Sequence, residues 1–336
     1  MNKSSYLLNE SFSHIYVEKS ISNSDSVKIV KNKFPSATIV EIEHYKDIFN
    51  RAAQEFREQK KSLSLILAKK EEPFLYNGSH FSDDFGYGNF FYTPSMLNCL
   101  YDCEYCYLQG MYQSANIVLF VNTEDFYAEL KKYLNKPTLL AISYDTDLLA
   151  FDPLNQVKEW LGFALSEQNL HLELRTKSAN YKALQKLQAN KKVTLAWTLS
   201  PQEIIDKYEH KTPSLKKRLN AIKILSELGW KVRICFDPML DIENFEEIYE
   251  PFVKEVFSEL DANKLSECTI GTFRIGNKHL KNIKKMKHSA LAFYPYEIKN
   301  DMALYPQERN NYLITHIKNL VLENMPKEKV RIWQEQ

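Results

Sequence analysis

The stretch Thr93-Pro-Ser-Met-Leu-Asn-Cys-Leu-Tyr-Asp-Cys-Glu-Tyr-Cys-Tyr-Leu-Gln109 carries three of the chain's five cysteines. Cys99, Cys103 and Cys106 stand in a C-x3-C-x2-C spacing. Thiolates this close together serve as ligands for an iron–sulfur cluster or a zinc ion. A closed structural zinc site takes four ligands, and the nearest downstream histidine, His171, is far along the chain. A [4Fe–4S] cluster held by three thiolates keeps one iron open to another ligand. Three cysteines therefore favour the cluster, with zinc or another metal, and unliganded cysteines, as the remaining readings.

The rest of the chain suits an enzyme. Its 336 residues suffice for one large domain or two ordinary ones. An apolar share of 44 % with only eight glycines argues for a packed core and against disorder. Basic and acidic residues nearly cancel, leaving a net charge of +1. Nucleic-acid-binding domains are usually strongly basic, so any such contact must come from a local patch. No run approaches the ~18 apolar residues of a membrane span. The first ten residues hold no apolar core of signal-peptide length. An odd cysteine count without such a leader fits a reducing cytoplasm.

Outward from the cysteines, the pattern alternates. Upstream, to about residue 85, the chain reads as a small α/β extension. It has strands at 15–19, 37–43 and 62–68, a helix over 45–59 and a Gly/Ser/Asp loop at 77–89. Downstream, strands at 117–121, 138–144, 171–176, 193–199, 231–236 and 269–275 alternate with helices. Those helices are expected over 154–166, 181–189, 201–208, 214–228, 245–260 and 278–286, with one opened by the Asn122-Thr-Glu-Asp cap. The 214–228 helix stops at Gly229. Such β-α repetition implies parallel strands with helical crossovers, either a partial barrel or a doubly wound sheet. The expected domains are 1–85, the small extension; 86–290, the barrel, with the cysteine loop at 93–110; and 291–336, a C-terminal region with a closing helix.

Active sites of parallel barrels sit at the carboxyl ends of the strands. Those ends collect Tyr144, Asp145, Thr146 and Asp147; Lys177 and Ser178; Ser200 and Pro201; and Arg274. On the 231–236 strand, Arg233, Cys235 and Asp237 share one face by alternation. Cys268, at an expected strand start, reads as structural.

The C-x3-C-x2-C motif resembles the signature of the radical S-adenosylmethionine (radical SAM) superfamily. That likeness selects the partial (β/α)6 TIM-type barrel over the doubly wound sheet. It implies a [4Fe–4S] cluster on Cys99, Cys103 and Cys106, with S-adenosyl-L-methionine as cofactor and Tyr107 packed beside them. A longer likeness, through 99–109, 117–126, 174–180 and 211–230, is to the spore photoproduct lyase family. These enzymes use a 5′-deoxyadenosyl radical to split a thymine–thymine adduct in damaged DNA. By this resemblance Tyr107, Thr146, Lys177 and Ser200 contact the cofactor, and Tyr105 and Tyr107 relay the radical. A low-potential electron donor such as flavodoxin or ferredoxin is implied as partner, and no membrane.

Two departures from the family pattern stand out. Where family members often carry a hydrogen-donating cysteine, this chain has Tyr144. Tyr144 is one candidate donor and Cys235 another, while a plain core role for Cys235 is the simpler reading. The family's basic C-terminal hairpin corresponds to the weakly basic stretch 291–301. Just upstream, 277–288 holds five lysines suited to phosphates, and Phe293, Tyr294 and Tyr296 are suited to stacking on bases. The expectation is a lyase that repairs a thymine photoproduct. The alternatives are the same machinery acting on another nucleoside, RNA or peptide, and a non-catalytic metal protein that binds DNA.

Overall fold

The structure, a computed structural model, describes residues 12–79 and 82–333. The ten N-terminal residues read above for a leader lie outside the described residues. So do His80 and Phe81 of the 77–89 loop and the last three residues of the C-terminal region. The chain forms two compact units. Of the described residues, the first comprises 12–78, 84–100 and 108–172; the second comprises 79, 82–83, 101–107 and 173–333. This division runs differently from one drawn at residues 85 and 290.

In the first unit a five-stranded sheet has the order Thr38–Ile42, His14–Glu18, Leu65–Ala68, Ile117–Phe120, Met96–Leu97. The first four strands are parallel and the last is antiparallel. Leu65–Ala68 and Ile117–Phe120 are apolar at every position and wholly buried. Central parallel strands covered on both faces need that pattern. It also explains a correction: the 117–121 strand, expected to open the barrel, belongs to this N-terminal sheet. Elsewhere in the unit, Phe90–Tyr92 pairs parallel with Thr138–Ala141 and antiparallel with Tyr76–Asn77.

The expected 45–59 helix is two short ones, Lys46–Phe49 and Phe56–Lys61. Apolar spacing at 48, 52 and 56 suggested continuity. Instead Ala53 turns left-handed (φ 57°), and the Gln54 amide donates to the Phe49 and Arg51 carbonyls at 2.9 Å. A continuing helix would have bonded the Phe49 carbonyl at residue 53. The Asp25–Lys33 helix, unread in the sequence, starts at Ser24, whose hydroxyl accepts from Val27 N. The Asn122 side chain does not cap its helix as expected, because its oxygen accepts from Lys70 N at 2.8 Å.

Asp152 holds the start of the Gln156–Ser166 helix, accepting from Gln156 N (2.6 Å) and Val157 N (2.9 Å). Burial outweighs these bonds and pushes its carboxyl up to about 6. An acid raised in the folded state binds more protons folded than unfolded between the two pKa values. Stability is therefore expected to fall as pH rises from about 4 to about 6, by on the order of 3 kcal/mol at 1.36 kcal/mol per unit. Thermal unfolding across that range checks this. Asp152→Asn should flatten the slope, and equal slopes in both proteins would remove Asp152 as the cause.

In the second unit the parallel strands run in the order Val330–Ile332, Leu265–Thr272, Lys231–Met239, Val193–Thr198; next in order comes Leu170–Thr176, whose residues from 173 on belong to this unit. Their helices are Gln202–Tyr208, Leu215–Glu227, Phe245–Glu259, Asn277–Met286 and Gln307–Leu322, the last being the expected closing helix. The 181–189 helix shrinks to Lys182–Gln185. Gly229 ends Leu215–Glu227 at φ 84°, a conformation that favours glycine. Cys268 lies inside its strand, not at the start, and is fully buried. A small antiparallel sheet joins Arg274–Gly276, Met302–Leu304 and Glu297–Lys299. Its hairpin turns on Asn300 and Asp301, both left-handed, as a two-residue turn of this kind requires.

Candidate functional site

The cysteine loop is stitched down by backbone. Asp102–Cys103 pairs antiparallel with Glu209–His210, with Cys103 opposite Glu209. Glu104 N donates to Tyr208 O at 2.8 Å, and His210 Nε2 meets Glu104 Oε1 at 2.8 Å. Cys106 N donates to Cys103 O at 3.1 Å, closing a turn between two candidate ligands. In the first unit, the buried ammonium of Lys60 donates to Cys99 O at 2.6 Å. Cys103 is buried (6 % exposed), while Cys99 and Cys106 are half-buried. None of the five cysteines is in a disulfide. Among the described residues no three His, Cys, Asp or Glu side chains are arranged to hold a metal ion. The cluster assignment therefore rests on the donor set and its surroundings, and these fit. Three thiols lie on one short loop, and the charges of Arg218 and Lys177 act on Cys103 within the same unit. Cations beside a thiol favour the thiolate that binds metal.

Beside the loop sits a carboxylate that the sequence reading passed over. Glu209 is 1 % exposed. It accepts from the Tyr105 hydroxyl, from Ser200 Oγ at 2.9 Å and from Arg218 Nη2 at 2.5 Å. Lys177 Nζ lies 3.9 Å from Glu209 Oε1 and 4.9 Å from the centre of the Tyr105 ring. Arg218, fully buried, also donates to Thr198 O, Pro213 O and Thr212 Oγ1. Burial raises the Glu209 carboxyl, but Arg218 and Lys177 outweigh it and hold it at about 2. Burial lowers Lys177, and the charges of Cys103 and Glu209 more than restore it. Three residues singled out from the sequence, Tyr105, Lys177 and Ser200, thus converge on one anion.

A second polar set occupies one face of the 231–239 strand. Arg233 is clamped by Glu173 and by Glu267 (2.8 Å), and Glu267 also accepts from Arg331 at 3.0 Å. Two residues along the same face, Cys235 is 1 % exposed. Burial pushes its thiol up against the opposing pull of Arg175 and Arg233. Two further along, Asp237 accepts from Arg274 Nη1 (2.8 Å) and Arg175 Nη2 (3.2 Å). Burial opposes its ionisation, but Arg274 and Arg175 hold it well below the usual carboxylate range. Gly271 lets this clamp close, since a Cβ there would stand 2.9 Å from Asp237 Oδ1. The expected shared face of Arg233, Cys235 and Asp237 is present.

In the first unit, Tyr144 does not stand alone. Its ring stacks on Tyr92 (4.3 Å, 22°), and Tyr92 stacks on Tyr76 (5.3 Å, 18°). Neighbouring Asp145 is buried and accepts from the Tyr112 hydroxyl. Burial, then the Asp145 charge, push the Tyr92 and Tyr112 phenols far up. Thr146 Oγ1 donates to Met96 Sδ at 3.4 Å, and Asp147 caps Ala150 N at 3.1 Å. Tyr107, in the second unit, is half-buried, with its ring centre 6.4 Å from that of His279.

Glu209, Arg218, Tyr92 and Tyr76 escaped the sequence reading. A signal for Arg218 was present: it falls among Leu215, Leu219 and Ile222 on the apolar stripe of its helix. A cation there demands a buried partner.

Parallel strands with helical crossovers, polar carboxyl ends and a pinned cysteine loop define an α/β protein of the partial (β/α)-barrel class. Within that class, the chain belongs to the spore photoproduct lyase family, whose model matches residues 34–331. Among curated relatives, spore photoproduct lyase of Geobacillus sp. (strain Y412MC61) is 24 % identical over 182 residues, 52 % of this chain and 53 % of that protein. The Bacillus subtilis (strain 168) enzyme is 25 % identical over 175 residues, 50 % of each. The matched stretch thus spans about half the length of these relatives. In fold the likeness is nearly complete. A spore photoproduct lyase complexed with dinucleoside spore photoproduct superposes with a TM-score of 0.81 at 19 % identity, covering 97 % of this chain and 99 % of that one. A variant with bound AdoMet and the dinucleoside spore photoproduct gives 0.81 at 18 % identity, with the same coverage.

Proposed function

We propose that this chain is a radical SAM lyase that repairs a thymine–thymine photoproduct in DNA. The observation that carries this reading is the family match over 34–331, joined to a fold shared along almost the whole length of solved lyases. One of those lyases was solved with AdoMet and the lesion dinucleoside. The bound cluster and S-adenosylmethionine would supply a reducing electron and, from it, a carbon radical that abstracts hydrogen.

The chain's own residues would do the rest. Cys99, Cys103 and Cys106 hold the cluster. Lys177, Ser200, Thr146 and Tyr107 contact the cofactor. DNA contact falls to the Asn277–Met286 helix, which buries Leu280 and Ile283 and exposes Lys278, Lys281 and Lys285. It is joined by the 297–304 hairpin and the exposed ring of Phe293. Lysine contacts give affinity without sequence preference, which suits a lesion searcher. A low-potential flavodoxin or ferredoxin would deliver the electron, in a reducing cytoplasm. Among the described residues no helix is long and apolar enough to cross a membrane.

An oligonucleotide carrying the photoproduct tests the reading. Thymine recovery is expected with reconstituted protein. Cofactor cleavage without thymine recovery would move the function to another nucleoside, RNA or peptide. Tyr144 is the hydrogen donor this reading favours over Cys235. Tyr144 lies half-buried in a tyrosine column, whereas Cys235 sits between two ion-paired layers with its thiol pushed up by burial. Tyr144→Phe is therefore expected to change deuterium incorporation into recovered thymine, and Cys235→Ala to leave it as in the parent. The reverse pattern would transfer the role to the thiol.

A further inference from the structure

The structure assigns to Glu209 a positioning role: it sets the cofactor-contacting side chains Lys177 and Ser200, with Tyr105, against the cysteine loop. The assignment rests on the cofactor reading above.

Four separate elements meet on this one side chain. Tyr105 comes from the cysteine loop. Lys177 follows the Leu170–Thr176 strand, and Ser200 follows Val193–Thr198. Arg218 comes from the Leu215–Glu227 helix. Glu209 itself is half of a two-residue strand whose ladder partner is Asp102–Cys103. Its backbone therefore reports the position of Cys103, and its carboxylate transmits that position to two strand ends. Oε1 takes the Tyr105 and Ser200 hydroxyls, and Oε2 takes the Arg218 guanidinium. The two oxygens have different tasks. Oε2 is anchored by a residue that reaches four acceptors in all, so the carboxylate cannot swing. Oε1 then presents a fixed anion to the site. Lys177, at 3.9 Å, lies beyond hydrogen-bond range of it, oriented by charge and by the face of Tyr105. Groups that orient metal-ligating residues from behind typically change affinity 10- to 100-fold when replaced, and the same order is expected for a group that orients cofactor contacts.

Shape and charge make separable predictions. Glu209→Gln keeps the length and removes the charge that holds Arg218 and Lys177. Glu209→Asp keeps the charge and withdraws it by one methylene. If Glu209 positions, neither is tolerated.

The experiment uses anaerobically reconstituted full-length protein. It measures iron content, thermal midpoint and S-adenosylmethionine Kd by equilibrium dialysis, for the parent, Glu209→Gln, Glu209→Asp, Ser200→Ala and the Glu209→Gln/Ser200→Ala double variant. Both single Glu209 variants are expected to retain iron and to weaken cofactor binding roughly 10- to 100-fold. The double variant should lose less than the sum of the singles, because both act through one contact. A lowered thermal midpoint with unchanged Kd would reduce Glu209 to a structural role and overturn the assignment. Full rescue by Asp, additivity in the double variant, or loss of iron in the single variants would each overturn it too. An iron-loaded parent that binds no S-adenosylmethionine would instead overturn the cofactor reading, a result visible before any variant is compared.

Discussion

Cys103→Ala is expected to strip the protein of its iron. The parent, reconstituted anaerobically, should carry about four irons per chain, the content of one [4Fe–4S] cluster, and the variant fewer than about one. Of the three loop cysteines, Cys103 is the buried one and the one in register with Glu209. Its thiol also lies in the field of Lys177 and Arg218. Two remaining thiolates cannot hold a cubane against solvent. Alanine keeps the Asp102–Cys103 backbone pairing, so the thermal midpoint of the metal-free protein should barely move. Iron analysis and release of 5′-deoxyadenosine from S-adenosylmethionine are the measurements. One zinc per chain in the parent would end the radical reading altogether.

Arg218→Met is expected to produce the largest loss of stability. Arg218 and Glu209 side chains are both 0 % exposed, at 2.5 Å. Exposed ion pairs contribute little, but removing one member of a buried pair leaves a charge in low dielectric and costs about 3–5 kcal/mol. For a chain of this size that is a fall of about 4–7 °C in thermal midpoint. Replacing both members by apolar residues should recover much of the loss, since neither charge is then stranded. A single-variant loss below about 1 kcal/mol would mean that water reaches Glu209, contrary to its burial.

Much of the candidate site, as the structure arranges it, was legible in the sequence, for identifiable reasons. The cysteine spacing is a local pattern and needed no tertiary information. The alternation along 231–239 placed Arg233, Cys235 and Asp237 on one face because a strand has period two. Local patterns failed where distant chain decides. Nothing in the text of 117–121 says that it pairs with Leu65–Ala68, since an apolar run fits any covered sheet. The 45–59 helix broke because one glutamine amide captured carbonyls that periodicity had assigned to the backbone. Glu209 was invisible for a related reason. In the sequence it is one acid among many, and it becomes the centre of a site only when Tyr105, Lys177, Ser200 and Arg218 arrive from four elements. The Tyr76, Tyr92 and Tyr144 column is the same case, built from three segments in a chain with 20 tyrosines.

The path of the polypeptide through its two units has a bearing on how such a protein can be dissected. Neither unit is one uninterrupted piece of chain, and residues 82–83 and 101–107 belong with the half that otherwise begins at 173. A gene fragment stopped at residue 172 would sever the Leu170–Thr176 strand and separate Tyr105 from every residue that grips Glu209. Recombination at that junction would exchange halves that each lack something essential, so shuffled or truncated versions should emerge as misfolded chains rather than as working modules.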